Sequence, residues 1–228
     1  MNKMSRTAAS ILQPLEQALK HFAFTHTPFG GPRYPYNIEP IQLSTLINEI
    51  ERLKDVPGNI LEIGVARGMT TRFLCQHVVN QNLQDSLTIY AIDTYNSFTQ
   101  HDLDYEVQSR KKQLAALKGF TYTDFDAWNK YFMQYPFVKA IKSDCAIVDY
   151  CSLSPIKLSL LDVDLYVPTK AVLSKLYAAT TSGGVILVDD VEDNKPYDGA
   201  YQAYMEFCAC QNITPRVIGS KCGCIYKP

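Results

Sequence analysis

The sequence predicts an α/β fold, in which a doubly wound, mostly parallel sheet carries helices on both faces. Three observations support this prediction. An apolar run breaks at a glycine turn and continues as a helix, a second β-rich run ends in an acid, and two later apolar runs each end in a pair of acids. Short apolar runs that alternate with helical patterns are typical of parallel strands joined by helical crossovers.

The first strand and the helix after it enclose a turn with two glycines. The run 59–68 begins as an apolar strand and breaks at Gly64 and Gly68, and residues 70–79 continue as a helix. Glycine lets a ligand approach the backbone, and free N–H groups at a helix start attract an anionic group. The spacing, Glu62-x-Gly64-x-x-x-Gly68, differs from that of dinucleotide-binding and phosphate-binding loops. It predicts a cofactor site, although such junctions also occur for purely structural reasons.

The second strand is predicted over residues 86–93, and it ends in Asp93, 29 residues after Gly64. An acid at the end of this strand, slightly past the usual distance of about 20 residues, can accept hydrogen bonds from ribose hydroxyls. Asp93 is therefore predicted to bind the ribose of a nucleoside cofactor. The alternative is a solvated loop acid at the end of a strand.

Two further predicted strands each run into a pair of acids, Asp162 with Asp164 and Asp189 with Asp190. Ligands bind outside the carboxyl ends of the strands in an open parallel sheet, so the four carboxylates are expected to gather there. Crowded like charges are costly unless a cation neutralises them or some are protonated. A hard divalent ion, Mg²⁺ in the simplest case, resolves the crowding. The alternative is helix capping, which Asp164 could provide to a helix over 165–177.

These motifs together resemble a known family. The segment 160–169, LLDVDLYVPT, and the segment 182–190, SGGVILVDD, are similar to the macrocin O-methyltransferases. The Glu62 motif resembles the first motif of the class I S-adenosylmethionine-dependent methyltransferases. The resemblance covers about residues 57 to 228, and it departs from the family pattern where Val163 replaces the usual Gly and Pro168 the usual Ser.

The resemblance implies a fold, an activity and a set of catalytic residues. The fold is the seven-stranded, Rossmann-like methyltransferase sheet, whose last strand inserts antiparallel, and a hairpin predicted over 215–227 fits this ending. Enzymes of the family depend on a metal and methylate sugar hydroxyls of macrolides and related natural products. By position, Asp162, Asp189 and Asp190 are metal ligands. Asp162 and Asp164 are the catalytic residues, with Asp164 as a further ligand or as the general base.

S-adenosylmethionine is the methyl donor that the resemblance implies. Related folds contact the adenine just after the third strand, here residues 138–141, so Asp144 is expected to accept from its exocyclic amine. The residues expected to bind the donor are Glu62, Gly64, Gly68, Thr70, Asp93, Ser143, Asp144 and Asp162.

The remaining segments predict the surroundings of the site. Residues 1–56 contain an amphipathic helix over 7–23 and a loop over 24–40 that is rich in Gly, Pro and aromatic residues. The segment 95–137 concentrates aromatic side chains around a helix predicted over 105–117. This insertion is expected to cover the acceptor site as a lid, and a satellite core under a long connection is the alternative.

Length and composition predict one domain over residues 1–228. The chain is 46% hydrophobic, with a formal net charge of −1 and no basic run, so no nucleic-acid partner is expected. No apolar stretch suits a membrane span and no signal-peptide pattern occurs, which predicts a cytoplasmic protein without a membrane partner. The seven cysteines form no C-x-x-C motif and are expected to be reduced. The amphipathic N-terminal helix is consistent with a homodimer.

The sequence thus predicts an enzyme that uses S-adenosylmethionine and a divalent cation, Mg²⁺ or another, to methylate a hydroxyl of a sugar or other small natural product. Two alternatives stay open. One is a metal-dependent methyltransferase of catechol-like hydroxyls, and the other is a non-catalytic binding module of the same fold. The four acids favour an enzyme, since a non-catalytic protein has little need for a complete binding site for a divalent cation.

Overall fold

The computed structural model describes residues 3–28, 30–31, 33–117, 119–121 and 123–228, with side chains from Gln13 onward. The chain divides into two compact units, Met1–Pro35 and Tyr36–Pro228. The smaller unit contains helix α1 (Lys3–His26), within which the helix predicted over 7–23 lies. Exposed apolar side chains on α1 include Leu15, Leu19 and Phe22. A single domain and a homodimer stay predictions.

The larger unit is built on a seven-stranded sheet. Its strands are β1 (Asn59–Ile63), β2 (Ile89–Asp93), β3 (Val138–Lys142), β4 (Ile156–Leu161), β5 (Thr180–Val188), β6 (Val217–Ile218) and β7 (Cys222–Tyr226). Their order is β3-β2-β1-β4-β5-β7-β6, and β1 to β5 run parallel, whereas β7 is antiparallel to both β5 and β6. The predicted doubly wound, mostly parallel sheet with a C-terminal antiparallel hairpin is confirmed.

Helices lie before the first strand of this sheet and between its strands. They are α2 (Pro40–Arg52), α3 (Met69–Asn80), α4 (Gln100–Gln108), α5 (Phe125–Phe132), α6 (Tyr166–Ala179) and α7 (Gly199–Cys210). Short 3₁₀ turns lie at Leu114–Ala116, Cys145–Ile147 and Tyr150–Leu153. In the described part of the chain, no helix has both the length and the apolar character needed to cross a bilayer.

Alternate residues of the central strands form two apolar layers, one on each face of the sheet. Ile60 and Leu158 are buried with side chains of α2 and α3, whereas Leu61 and Leu161 are buried with side chains of α6 and α7. All six residues of β4 are buried, as expected for a central parallel strand covered on both faces. This packing holds the carboxyl ends of the central strands along one edge.

The bounds of the helix predicted over 105–117 are wrong. Helix α4 begins five residues earlier, because the side chain of Thr99 accepts a hydrogen bond from the N–H of Asp102 and caps the helix. It ends at Gln108, and Lys111 has a φ of 60°, in the left-handed region that an α-helix does not contain. The polar pattern predicts that a helix exists here, but its start depends on a cap.

The rest of the insertion packs aromatic side chains into the core. Asp124 caps helix α5, since its side chain accepts a hydrogen bond from the N–H of Ala127. Tyr95, Trp128 and Phe132 are buried in the same apolar layer as α3. A role for the insertion as a lid over the acceptor stays a prediction.

Candidate active site

Several strands end at one edge of the sheet, and predicted site residues follow them. Gly64 follows β1, Asp93 ends β2, Asp162 follows β4 and Asp189 follows β5. Strands β2 and β3 follow β1 on one side of the sheet, and β4 and β5 lie on its other side. The order of the strands therefore reverses between β1 and β4. Ligands of doubly wound folds bind at such a switch point.

The glycine turn, residues 64–68, depends on backbone conformations with positive φ. The angles are 86° at Gly64, 45° at Ala66 and 83° at Gly68. A Cβ atom on Gly64 would lie only 1.7 Å from the carbonyl oxygen of Asp162, so the backbones approach too closely for any other residue. The turn after β1 therefore lies directly against the loop after β4.

Asp93 holds the glycine turn in place. Its Oδ2 accepts hydrogen bonds from the N–H groups of Val65 at 2.7 Å and Ala66 at 3.1 Å, and its Oδ1 accepts from the N–H of Tyr95 at 2.7 Å. The hydroxyl of Thr94 adds a longer hydrogen bond to Oδ1 at 3.4 Å, so these four protein donors already use the lone-pair sites of the carboxylate. A bond from Asp93 to a ribose hydroxyl stays a prediction.

Glu62 is buried in β1, with 1% of its surface exposed. Burial raises the pKa of Glu62 to about 8, and the nearby carboxylate of Asp93 adds to this rise. Its Oε2 has no hydrogen-bond partner among the described residues. A buried acceptor without a partner is costly, so this oxygen is suited to receive a donor group from a ligand.

Gly68 meets aromatic side chains of the insertion. A Cβ atom on Gly68 would lie 2.6 Å from Nε1 of Trp128 and 2.6 Å from the ring of Phe132, and these two rings are stacked with centroids 4.1 Å apart. Aromatic side chains therefore fill the space that a side chain on Gly68 would need. Thr70 lies half-buried in the first turn of α3. Donor binding by Gly68 and Thr70 stays a prediction.

Ser143 and Asp144 follow β3 and adjoin the end of β2. The N–H of Ser143 donates to the carbonyl oxygen of Asp93 at 2.9 Å. Oδ1 of Asp144 accepts from the N–H of Ala146 at 2.8 Å, which caps the 3₁₀ turn Cys145–Ile147. Contacts of these residues with an adenine stay a prediction.

Asp162, Asp164 and Asp190, the acid cluster, come together beside the glycine turn. Each residue offers a carboxylate oxygen, and these oxygens lie within 4.8 Å of one another. Burial raises the pKa of Asp162 and of Asp164 well above the ordinary value, and the neighbouring carboxylates raise both further. The carboxylates of Asp189 and Asp190 contribute to the rise at both residues.

Asp189, a predicted metal ligand, lies next to this cluster but bonds to protein groups. Its Oδ1 accepts from Nε2 of Gln42 and from the N–H of Asp190, each at 2.8 Å. Its Oδ2 accepts from the ammonium of Lys221 at 3.0 Å, and Lys221 also donates to Oδ1 of Asp190 at 2.8 Å. Gln42 and Lys221 could not be found from the sequence, since neither belongs to a motif and both pairings depend on tertiary structure.

Glu106 of the insertion supports the loop that carries Asp164. Its Oε1 accepts from the N–H of Tyr166 at 2.8 Å, at the start of α6, and its Oε2 accepts from Nε of Arg110 at 2.8 Å. Asp164 therefore does not cap α6 as the capping alternative proposed. The residue at the cap position is Leu165, and Asp164 itself has a φ of 62°. This role of Glu106 was also missed, because it joins residues 60 positions apart.

The sequence pattern of the family described as macrocin O-methyltransferase (TylF) matches residues 39–226 of the chain. The chain belongs to the macrocin O-methyltransferase family. It is therefore an S-adenosylmethionine-dependent O-methyltransferase, as the motifs at the ends of β1, β4 and β5 implied. No sequence among the curated proteins matches it.

Solved structures share the fold of this macrocin O-methyltransferase family member. The calicheamicin methyltransferase CalS11 superposes with a TM-score of 0.68 at 18% identity, over 92% of this chain and 90% of its own. The O-methyltransferase NovP superposes with a TM-score of 0.65 at 19% identity, over 86% of this chain and 83% of its own. A second CalS11 structure, described as a TDP-rhamnose 3'-O-methyltransferase, has a TM-score of 0.58 at 19% identity over 92% of both chains.

Proposed function

We propose that this enzyme methylates a hydroxyl group of a sugar or other small natural product, with S-adenosylmethionine as donor and with a divalent cation, Mg²⁺ in the simplest case. The observation that supports the proposal is the contact between the glycine turn and Asp162 of the acid cluster. Gly64 has no room for a side chain because Asp162 lies against it. A donor bound at the glycine turn would thus have carboxylates within reach of its acceptor.

The residues of the acid cluster fit a divalent cation. Three carboxylate oxygens within 4.8 Å of one another match the oxygen ligands that hard cations prefer. The raised pKa values of Asp162 and Asp164 mean that these two carboxyls hold protons more readily than usual, and a bound cation would oppose this by favouring their ionised forms. When bound, such a cation supplies a fixed position and a lowered pKa for the acceptor hydroxyl.

Asp164 is proposed as the general base. In the reaction the hydroxyl oxygen bonds to the methyl carbon while the bond from that carbon to the sulfonium sulfur breaks, and the hydroxyl proton passes to a carboxylate of Asp164. S-adenosylhomocysteine leaves with the electron pair of the broken bond. Removal of a proton by a positioned base typically contributes about 10²- to 10⁴-fold in rate.

Donor binding is proposed at Glu62, Gly64, Gly68, Thr70, Asp93, Ser143, Asp144 and Asp162. The unpartnered Oε2 of Glu62 is available for the amino group of the donor. A cationic group beside this oxygen would favour the ionised carboxylate, so binding would lower its raised pKa.

The proposed acceptor class agrees with the family and with CalS11, the TDP-rhamnose 3'-O-methyltransferase whose fold this chain shares. Methyl transfer by the full-length protein, measured as S-adenosylhomocysteine formed, tests this proposal with nucleotide sugars, glycosides and catechols as acceptors. We expect turnover of a sugar hydroxyl, and transfer to catechols alone would contradict the acceptor class. Donor binding without turnover of any acceptor would favour the non-catalytic module.

The metal requirement is tested in the same assay with Mg²⁺, with a chelator, and with Asp190→Ala, which removes both oxygens. The matched control is Asp193→Ala, which removes an exposed acid three residues away. We expect the chelator and Asp190→Ala each to abolish turnover and Asp193→Ala to leave it unchanged. Full activity in the chelator would exclude the divalent mechanism and leave the family assignment intact.

A further inference from the structure

Asp198 lies immediately before α7, at the position where an aspartate often caps a helix. Its side chain makes no hydrogen bond of that kind. Instead, its Oδ1 accepts from the guanidinium of Arg110 at 2.5 Å and its Oδ2 accepts from the ammonium of Lys112 at 2.6 Å. Both cations belong to the insertion, and only 7% of the surface of Asp198 is exposed. Two long-range ion pairs therefore fix the start of α7.

The start of α7 packs directly against the loop that carries Asp164. The N–H of Ala200 donates to the carbonyl oxygen of Asp164 at 3.3 Å. A Cβ atom on Gly199 would collide with the backbone nitrogen of Tyr166 and lie 2.6 Å from Oε1 of Glu106, so the two chains approach too closely for a side chain. Any movement of the start of α7 would therefore reach the backbone of Asp164.

The backbone of Asp164 depends on support of this kind. Its φ is 62°, in the left-handed region that residues other than glycine rarely adopt. Such a conformation persists where the surrounding contacts over-determine it, and it is enriched at active sites. Glu106 fixes the chain after Asp164 through the N–H of Tyr166, and Ala200 fixes the carbonyl group of Asp164 itself. The second of these contacts depends on the place of α7.

We propose that Asp198 is a positioning residue for methyl transfer, which holds the start of α7 so that Ala200 keeps Asp164 directed toward the acid cluster. The inference rests on the proposed function, in which Asp164 is the general base. A base has to lie within hydrogen-bond reach of the proton that it removes, so a small displacement of Asp164 would slow this step. Neither ion pair of Asp198 involves the glycine turn, so donor binding should not depend on it.

The ion pairs indicate which substitutions to compare. Asp198→Ala removes both oxygens, and it leaves Arg110 with Glu106 and Lys112 with the carbonyl oxygen of Lys195. Asp198→Asn keeps one oxygen that can accept from Arg110, so its effect should be smaller. The matched control is Asp193→Ala, which removes an exposed acid from the same loop.

The experiment places Asp198→Ala in two backgrounds, the wild type and Asp164→Asn, which lacks the proposed base. Methyl transfer is measured as S-adenosylhomocysteine formed, with saturating donor, Mg²⁺ and an acceptor that the wild type turns over. Calorimetric titration with S-adenosylhomocysteine gives the donor affinity of each variant. Thermal melting reports whether each variant is folded.

We expect Asp198→Ala to lower kcat by about 10- to 100-fold in the wild-type background. In the Asp164→Asn background it should lower kcat by less than about threefold, because the position of a base has no effect once the base is absent. Affinity for S-adenosylhomocysteine should stay unchanged in both backgrounds. Asp198→Asn should lower kcat less than Asp198→Ala, and Asp193→Ala should not lower it.

An equal loss of kcat in the two backgrounds would overturn the inference, since Asp198 would then act through a group other than Asp164. Unchanged kcat in folded Asp198→Ala would overturn it as well. If Asp198→Ala does not fold, Asp198→Asn takes its place in the same comparison, with the same two contrary outcomes. Full activity of Asp164→Asn would instead contradict the general base of the proposed function and remove the basis of the inference.

Discussion

The carbonyl oxygen of Asp162 occupies the space that a side chain on Gly64 would need. A Cβ atom on Gly64 would be 1.7 Å from that oxygen and 2.7 Å from the carbonyl carbon, distances that real Cβ atoms do not reach. Both atoms belong to backbone, so neither can move away without shifting the loop after β4. The loop with the donor motif and the loop with the first acid are thus one structural unit.

Gly64→Ala should destabilise the protein far more than the matched substitution Gly183→Ala. Both glycines have positive φ, 86° and 78°, but a Cβ atom on Gly183 would have no atom within 4 Å. The control therefore carries only the cost of the left-handed conformation, about 1–2 kcal/mol, whereas Gly64→Ala adds the collision with Asp162. Urea unfolding of both variants measures the difference, and equal losses would show that the two loops are not in contact.

The unfolding free energy of Glu62→Gln should exceed that of the wild type by an amount that grows as the pH rises. The pKa of Glu62 is raised from 4.5 to about 8, so the folded state holds the proton more tightly than the unfolded state does. Between these two values the free energy of unfolding therefore falls as pH increases, by about 1.4 kcal/mol for each pH unit. Gln does not titrate, so the variant lacks this fall.

The measurement for Glu62→Gln is urea unfolding at pH 5, 6, 7 and 8, with Asp85→Asn as control. Asp85 is exposed in the loop after α3, so its replacement also removes one carboxylate, but from the surface. The difference in unfolding free energy between Glu62→Gln and the wild type should grow with pH, and that between Asp85→Asn and the wild type should stay nearly constant. A constant difference for Glu62→Gln would mean that this carboxyl is ionised in the folded protein.

Sequence patterns predict the parts of this fold that depend on local periodicity. The apolar runs that became β1, β2, β4 and β5 are fully or largely buried, and strands of that kind are recognised by composition alone. The positions of Gly64, Asp93, Asp162 and Asp189 follow from strand ends, since parallel strands bring their carboxyl ends to one edge. That is why the donor and acid motifs could be placed together from their positions in the chain.

What the sequence could not predict are the partners that tertiary structure brings to these motifs. Asp189 carries the same motif as Asp190, yet Gln42, 147 residues away, and Lys221 occupy its carboxylate. Similarly, a local rule makes Asp164 a plausible helix cap, but Glu106 takes the N–H that such a cap would bind. Each case depends on a single long-range hydrogen bond, and such pairs leave no periodic signal.

Trp128 should report donor binding through its fluorescence. It is the chain's single tryptophan, 5% of its surface is exposed, and its Nε1 would be 2.6 Å from a Cβ on Gly68. Any adjustment of the glycine turn on binding alters the surroundings of this indole, so titration with S-adenosylhomocysteine should change the emission. Calorimetry in parallel gives the reference dissociation constant. Binding seen by heat with constant emission would place the donor away from this turn.

Trp128→Phe tests the same contact by stability. The Nε1 group has no hydrogen-bond partner among the described residues, so the variant loses packing and no hydrogen bond. We expect a loss of about 1–3 kcal/mol in unfolding free energy, the cost of a partly filled space in the core. Tyr131→Phe on the same helix, at an exposed ring, is the control and should stay within about 0.5 kcal/mol of the wild type.

Glu106→Ala should reduce turnover while leaving donor binding intact, because Glu106 supports the loop that carries Asp164 and does not contact the glycine turn. It is 1% exposed, and it joins the start of α6 to Arg110, which in turn donates to Asp198 at 2.5 Å. The variant leaves the N–H of Tyr166 without this acceptor, while Arg110 keeps Asp198 as its partner. The expected loss of stability is therefore about 1–3 kcal/mol, and a displaced base by itself can lower the rate about 10²-fold.

Two further variants separate the effects of Glu106. Glu106→Gln keeps an oxygen that can accept a hydrogen bond from the N–H of Tyr166, but it loses the ion pair with Arg110. Its kcat should therefore stay close to the wild-type value, whereas its unfolding free energy should fall. Asp104→Ala, at an exposed position of the same helix, should change neither by a measurable amount. The hydrogen bond to Tyr166 holds the chain two residues after Asp164. We therefore expect kcat to depend on this hydrogen bond and the unfolding free energy to depend on the ion pair. If Glu106→Gln and Glu106→Ala lost kcat equally, the charge of Glu106 and not its cap on α6 would be what positions Asp164.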